Sequence, residues 1–291
     1  MQVHFIGVGK MGLPMASHLA AAGHAVTVSD PSGERRQFAQ AQGLAVADDA
    51  ASAIAAAQVI FSSLPNDAAL LNVAAQVAAA AQREAIFVDT STVSLPASSE
   101  AAARCAAAGV HCLRTTVSGN NKMAEAAQLT VMASGPRAAY DTVLPLLRSF
   151  GPNQFYLGEA EQARLMKLVV NLMIAQTSAM LAEALTLGRK GGLDWHAMWQ
   201  VITASAVASP IVKAKAVQLS ERDFTPTFTV EQMIKDLELI LCAGEASHVP
   251  LLQTAMTHKL MHAAVEQGDA LDDYAAIIKV MERGAGLPDH L

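Results

Sequence analysis

Three sets of residues have the types and spacings that do chemistry. The first is Gly7, Gly9 and Gly12, in G-x-G-x-x-G order directly behind the apolar run "VHFIGV". In a strand-to-helix turn, the first glycine permits the tight bend, the second lets the backbone approach a pyrophosphate, and the third lets the helix pack on the strand. A second apolar run, "AVTVSD", ends in Asp30, eighteen residues beyond Gly12. A carboxylate there binds adenosine ribose hydroxyls and repels a 2′-phosphate, which favours NAD; Arg35 and Arg36 keep NADP open. Taken alone, the glycine triplet is a weak signal, and a structural turn is its alternative.

The second set is Lys167 and Asn171, four apart in "LMKLVVNLMIAQTSAMLAEALTL" (165–187). Four-residue spacing puts both on one helical face, and apolar neighbours would desolvate the ammonium and lower its pKa. Such a lysine either relays a proton or snorkels to the surface along its methylene stem. The third set is "TTVSGNNK" (115–122), where a serine hydroxyl and the open backbone amide after it can hold a carboxylate, or simply form a polar turn.

The elements that must position these groups read as two domains. Short apolar runs at 3–8, 25–30, 59–64, 85–90 and 110–115 alternate with alanine-rich helical stretches, the pattern of a doubly wound α/β sheet. Runs at 129–134 and 154–158 add strands that end the sheet. Beyond Gly158 the spacing is helical to the end, so residues 1–161 read as a Rossmann domain and 162–291 as an all-α domain, with a long helix over 162–188 at the junction.

With 52% hydrophobic residues and 16% charged, the 291-residue chain has ample material for a core. A net charge of -6 and no run of five basic residues argue against a nucleic-acid partner. No signal peptide is expected at the start, and Lys167, Asn171, Gln176 and Glu183 break up the best transmembrane candidate, so a cytoplasmic protein without a membrane partner is expected. Cys105, Cys112 and Cys242 form no CxxC pair and read as buried small hydrophobes. The nine histidines read as surface or helix-end residues. His258 and His262 are four apart without a third ligand in the sequence nearby, so no metal is expected, and no G-x-S-x-G elbow offers a nucleophile.

The leading stretch "FIGVGKMGLPMASHLAAAGHAVTVSD" resembles the 3-hydroxyisobutyrate dehydrogenase family, the β-hydroxyacid dehydrogenases related to 6-phosphogluconate dehydrogenase. Further motifs match in order: "SSLPND" (62–67), "VDTSTVS" (88–94), "VSGN" (117–120), "KLVVN" (167–171) and "FTVEQMIKDLELI" (228–240). The resemblance implies hydride transfer between NAD(P) and a small β-hydroxyacid or its semialdehyde, with Lys167 as general acid/base and Asn171 orienting the substrate. It implies that Ser118, Gly119 and Asn120 bind the substrate carboxylate. It assigns the cofactor to Gly7, Val8, Gly9, Lys10, Met11 and Gly12 of the turn, Asp30, Leu64, Pro65, Thr92, Phe228 and Lys235, although Lys235-Asp236 by itself is an ordinary charged pair. A homodimer or homotetramer is also implied.

One loop departs from that family. Where Asp-Ala-Pro-Val-Ser-Gly-Gly is usual, this chain has Arg114, Thr115, Thr116, Val117, Ser118, Gly119 and Asn120, followed by Asn121 and Lys122. The extra donors suggest a more hydroxylated or more anionic substrate, with Lys122 among its contacts. An imine reductase and a catalytically silent cofactor-binding module are the alternatives. The former typically lacks a lysine at this position, and the latter has no need of Ser118, Lys167 and Asn171 together.

Overall fold

The computed structural model describes residues 1–288 and 290 and divides into two units, Met1–Lys167 and Leu168–Leu291. The first alternates strand and helix: β1 (Gln2–Ile6), α1 (Gly12–Ala21), β2 (Ala25–Ser29), α2 (Gly33–Ala41), β3 (Ala45–Val46), α3 (Ala50–Ala56), β4 (Val59–Ser62), α4 (Asp67–Ala80), β5 (Ile86–Asp89), α5 (Leu95–Ala107), β6 (His111–Ser118), α6 (Asn121–Glu125), β7 (Thr130–Ser134), α7 (Arg137–Leu147) and β8 (Asn153–Tyr156). The eight strands form one sheet in the order β3-β2-β1-β4-β5-β6-β7-β8. All neighbours are parallel except β6 and β7, which pair antiparallel. The fold is the Rossmann doubly wound sheet that the alternation predicts, although two-residue β3 is too short to leave a sequence signal.

Both faces of the sheet are covered, which is why its strands read as unbroken apolar runs. Period-two alternation still sorts their side chains: Val3, Phe5, Val59, Phe61, Ile86 and Val88 enter one core with α1 and α7, while Ile6, Ile60 and Phe87 enter the other with α3, α4 and α5. Phe61 anchors the first, stacked on Phe5 at 5.7 Å and edge-on to Phe150 at 5.6 Å. His4 points against the expectation of surface histidines. It is fully buried on β1, bonded to Thr27 Oγ1 at 2.9 Å and Ser29 Oγ at 3.0 Å, and burial lowers its pKa to about 4.

Beyond the sheet the chain is helical: α8 (Gln162–Lys190), α9 (Trp195–Ala204), α10 (Pro210–Ser220), α11 (Val230–Ala246), α12 (Leu252–Glu266), a 3-10 turn (Tyr274–Ala276) and α13 (Ile277–Gly284). Buried ion pairs staple the second unit. Lys215 of α10 meets Asp273, and Arg189 and Arg222 converge on Glu282 of α13. Among the described helices α8 alone is long and apolar enough to cross a membrane, yet it holds Arg164, Asn171, Ser178 and Thr186 buried within the protein. Cys105 and Cys112 are buried free thiols as expected, whereas Cys242 is exposed, because it lies on the outward side of α11.

Candidate active site

Chain topology creates the site before any side chain does. From β1 the chain winds outward through β2 and β3, then returns to place β4 on the other side of β1, so a crevice opens at the carboxyl end of β1. The glycine turn sits there. Gly7 has φ +88°, and a Cβ on it would lie 2.4 Å from the Ser63 carbonyl oxygen; one on Gly12 would lie 1.9 Å from Gly7 O. The fold itself demands these two glycines. Gly9 is different: its φ is not left-handed and a Cβ on it would meet nothing within 4 Å. Nothing in the protein requires glycine at that position, and open space over its backbone is what a pyrophosphate needs.

The helix behind the turn agrees. Side chains of Ser32, Asp49, Asn66, Ser94 and Asn120 cap α2 to α6, but α1 has no side-chain cap and no acidic residue in its first turn. No side chain blocks its N-terminus against an anion, although Leu13 N bonds Gly9 O at 3.0 Å and Pro14 carries no amide hydrogen. Asp30, directly after β2, accepts from Val8 N at 2.9 Å and Ser32 N at 2.8 Å. The carboxylate thus fixes the glycine turn and retains acceptor capacity for a ribose diol. Arg36 donates to the carbonyls of Asp30 and Pro31, at 2.6 and 3.0 Å.

The next two loops are tied together by a buried network that sequence reading missed. Asp89, at the end of β5, accepts from the Ser62 and Ser91 hydroxyls and from Arg164 of α8. Arg164 also donates to Ser91 O and, at 3.1 Å, to Ser98 Oγ. Ser91 Oγ receives Leu64 N at 2.8 Å. Asp89 and Arg164 are 1% and 2% exposed, so the pair is desolvated and fully engaged. This network fixes the backbone at Leu64 and Ser91, next to Pro65 and Thr92.

Three further contacts fasten the start of α8 to the sheet. Arg114 of β6 pairs with Glu161 at 2.6 Å, Thr116 Oγ1 donates to Ala163 O at 3.0 Å, and the Ser134 hydroxyl bridges Ala160 O and Ala163 N. Arg114 and Thr116, read from sequence as part of a substrate-loop departure, are therefore used in holding β6 to α8. Lys167 is one turn beyond Ala163 and Arg164 and half-buried, and helical side chains lean toward the N-terminal turn.

Ser118 closes β6, and Gly119 follows at φ +137°, where a Cβ would lie 2.7 Å from Leu129 Cδ2. Asn120 caps α6 by accepting Met123 N at 3.0 Å, a local use of the oxygen that sequence reading offered to substrate. Lys122 is exposed. Asn121 Oδ1 is buried and has no hydrogen-bond partner among the described residues. An orphan acceptor of this kind carries a desolvation cost unless a donor arrives.

In the second unit, Asn171 is 6% exposed and donates Nδ2 to Asp236 Oδ2 at 2.5 Å. Asp236 also pairs with Lys235, whose Nζ is 3.0 Å from Oδ1. Lys235-Asp236 is thus more than the ordinary surface pair: its acid is buried and holds Asn171. Phe228, just before α11, meets Tyr274 edge-on at 6.3 Å. Of the sequence-derived residues, Gly7 to Gly12, Asp30, Leu64, Pro65, Thr92 and Ser118 to Lys122 lie at the carboxyl edge of one sheet, Lys167 closes that unit, and Asn171, Phe228 and Lys235 belong to the second.

A doubly wound sheet, an uncapped helix behind a ligand-ready glycine turn and an acidic residue after β2 define an NAD(P)-dependent oxidoreductase. Residues 2–158 match the family model described as the NAD binding domain of 6-phosphogluconate dehydrogenase, and residues 162–281 that of NADP-dependent 3-hydroxyisobutyrate dehydrogenase. The chain belongs to the 3-hydroxyisobutyrate dehydrogenase family of enzymes acting on CH–OH groups. It is 33% identical to 2-(hydroxymethyl)glutarate dehydrogenase of Eubacterium barkeri over 99% of this chain and 97% of that one. It is 28% identical to glyoxylate/succinic semialdehyde reductase 2, chloroplastic, of Arabidopsis thaliana, over 97% and 80%. The solved Mycobacterium tuberculosis 3-hydroxyisobutyrate dehydrogenase with L-serine superposes with a TM-score of 0.86 at 29% identity, covering 96% and 98%.

Proposed function

We propose that this chain interconverts a small carboxylate-bearing β-hydroxyacid and its semialdehyde with NAD as the preferred cofactor, and that Lys167 carries the hydroxyl proton. When bound, the nicotinamide accepts or delivers the hydride. The chain's own residues do the rest. Ser118 Oγ and the backbone amides at Gly119 and Asn120 receive the substrate carboxylate, and Asn171 orients the alcohol. Lys167 takes the hydroxyl proton during oxidation and returns it during reduction. Residues 1–161 serve as the dinucleotide-binding domain and 162–291 as the substrate and assembly domain, with Phe228 and Lys235 at the nicotinamide end.

The observation that carries this reading is the anchoring of α8: four contacts from β5, β6 and β7 fix its first turn, so Lys167 starts from a rigid base. Asp30, together with the use of Arg36 on local carbonyls, supports NAD over NADP. Asn121 Oδ1 supports a substrate with a donor beyond its carboxylate, in keeping with the polar substrates in the relatives' names. The exposed apolar stripe Met166, Val169, Met173 and Met180 on α8 supports a homodimer or homotetramer.

The test is a panel of small β-hydroxyacids and semialdehydes with NAD and NADP, following cofactor absorbance, for wild type and Lys167→Ala. Turnover in wild type, lost in the variant while cofactor binding persists, is expected. Turnover of cyclic imines alone, or cofactor binding without any turnover, overturns the proposal.

A further inference from the structure

On α12, His258 and His262 stand one turn apart with their Nε2 atoms 3.2 Å from each other and ring centroids 4.5 Å apart, nearly perpendicular. Glu238 of α11 approaches from the neighbouring helix, its Oε1 3.8 Å from His258 Nε2. One ligand atom from each residue lies within 4.8 Å of the other two. The third ligand that the sequence did not reveal is thus supplied across the helix pair.

Two imidazole nitrogens this close share either one proton or one metal ion. A tetrahedral zinc with Zn–N bonds of about 2.0–2.1 Å keeps its ligand nitrogens about 3.4 Å apart. The histidine pair is already at that separation, and the exposed Glu238 side chain needs only a small rotation to join it. Two imidazoles and one carboxylate suit a borderline divalent metal, and disfavour calcium or magnesium, which take oxygen ligands. Glu238 follows Asp236 by two residues, which on a helix puts the two carboxylates on opposite sides. Asp236 is buried with Asn171, whereas Glu238 is 56% exposed, so this cluster is separate from the dehydrogenase site.

We propose that Glu238, His258 and His262 form a zinc-class metal site that clips α11 to α12, with its fourth position open to water. Metal bound to the folded chain alone raises stability by mass action.

The experiment is calorimetric titration of zinc chloride into untagged, chelator-stripped full-length protein near neutral pH, with thermal unfolding read in parallel. One zinc per chain is expected for wild type and for Cys242→Ser, which removes the exposed thiol of α11. Affinity should fall at least about tenfold in His258→Ala and in His262→Ala, with a smaller loss in Glu238→Gln. Zinc should raise the Tm of wild type and not of His262→Ala. No zinc uptake, unchanged affinity in His262→Ala, or binding lost in Cys242→Ser overturns the site.

Discussion

Replacing Arg164 with methionine tests whether the buried pair with Asp89 holds the site's framework. Arg164 is 2% exposed, and its guanidinium serves Asp89, Ser91 O and Ser98 Oγ. Methionine fills much of the volume but leaves an ionised carboxylate in the core. Removing one partner of a buried pair costs about 3–5 kcal/mol. The Ser62 and Ser91 hydroxyls continue to donate to Asp89, which places this case near the lower end, about 3 kcal/mol. For units of this size that corresponds to a fall in Tm of roughly 6–12 °C. Urea unfolding of wild type, Arg164→Met, Asp89→Asn and the double variant reads the coupling directly. The double variant should be more stable than Arg164→Met alone, since a neutral amide needs no counter-charge. A loss under about 1 kcal/mol for Arg164→Met, or strict additivity in the double variant, would refute the reasoning.

The glycine turn separates fold from ligand. Gly9→Ala should leave stability within about 0.5 kcal/mol of wild type while weakening cofactor binding about tenfold or more, whereas Gly7→Ala should cost about 2 kcal/mol of stability, read by urea unfolding and cofactor fluorescence. His4 gives a pH dependence: its pKa falls from an ordinary 6.5 to about 4 on burial, so the unfolded chain binds more protons between these values. Stability should therefore decline as pH drops from 6.5 toward 4, by about 3 kcal/mol in total, and the slope should flatten in His4→Gln. Asp236→Ala releases both Asn171 and Lys235 and should lower kcat about 10- to 100-fold, as steady-state kinetics would show.

What sequence made legible follows from how local each signal is. The glycine triplet and Asp30 lie within one βαβ unit, so their spacing is enough to raise them as candidates, and helical period puts Lys167 and Asn171 on one face of α8. Signals that cross the chain were silent. Arg164 meets Asp89 across 75 positions and Asn171 meets Asp236 across 65, and neither separation leaves a periodicity to read. Glu238 joins His258 and His262 only because α11 and α12 pack side by side. Arg114 shows the converse, since its place in a substrate loop suggested chemistry while its actual partner is Glu161. His4 interrupts an apolar run on β1, yet the Thr27 and Ser29 hydroxyls that make its burial tolerable become apparent only when β2 pairs alongside.

The most direct measurement is the turnover of Lys167→Ala with and without added small primary amines, with cofactor binding checked on the same samples. If Lys167 carries the hydroxyl proton, turnover falls by about 100-fold or more, cofactor binding is retained, and an exogenous amine restores part of the rate. A variant that turns over like wild type would show that the proton travels by another group and that the role given to α8 is wrong.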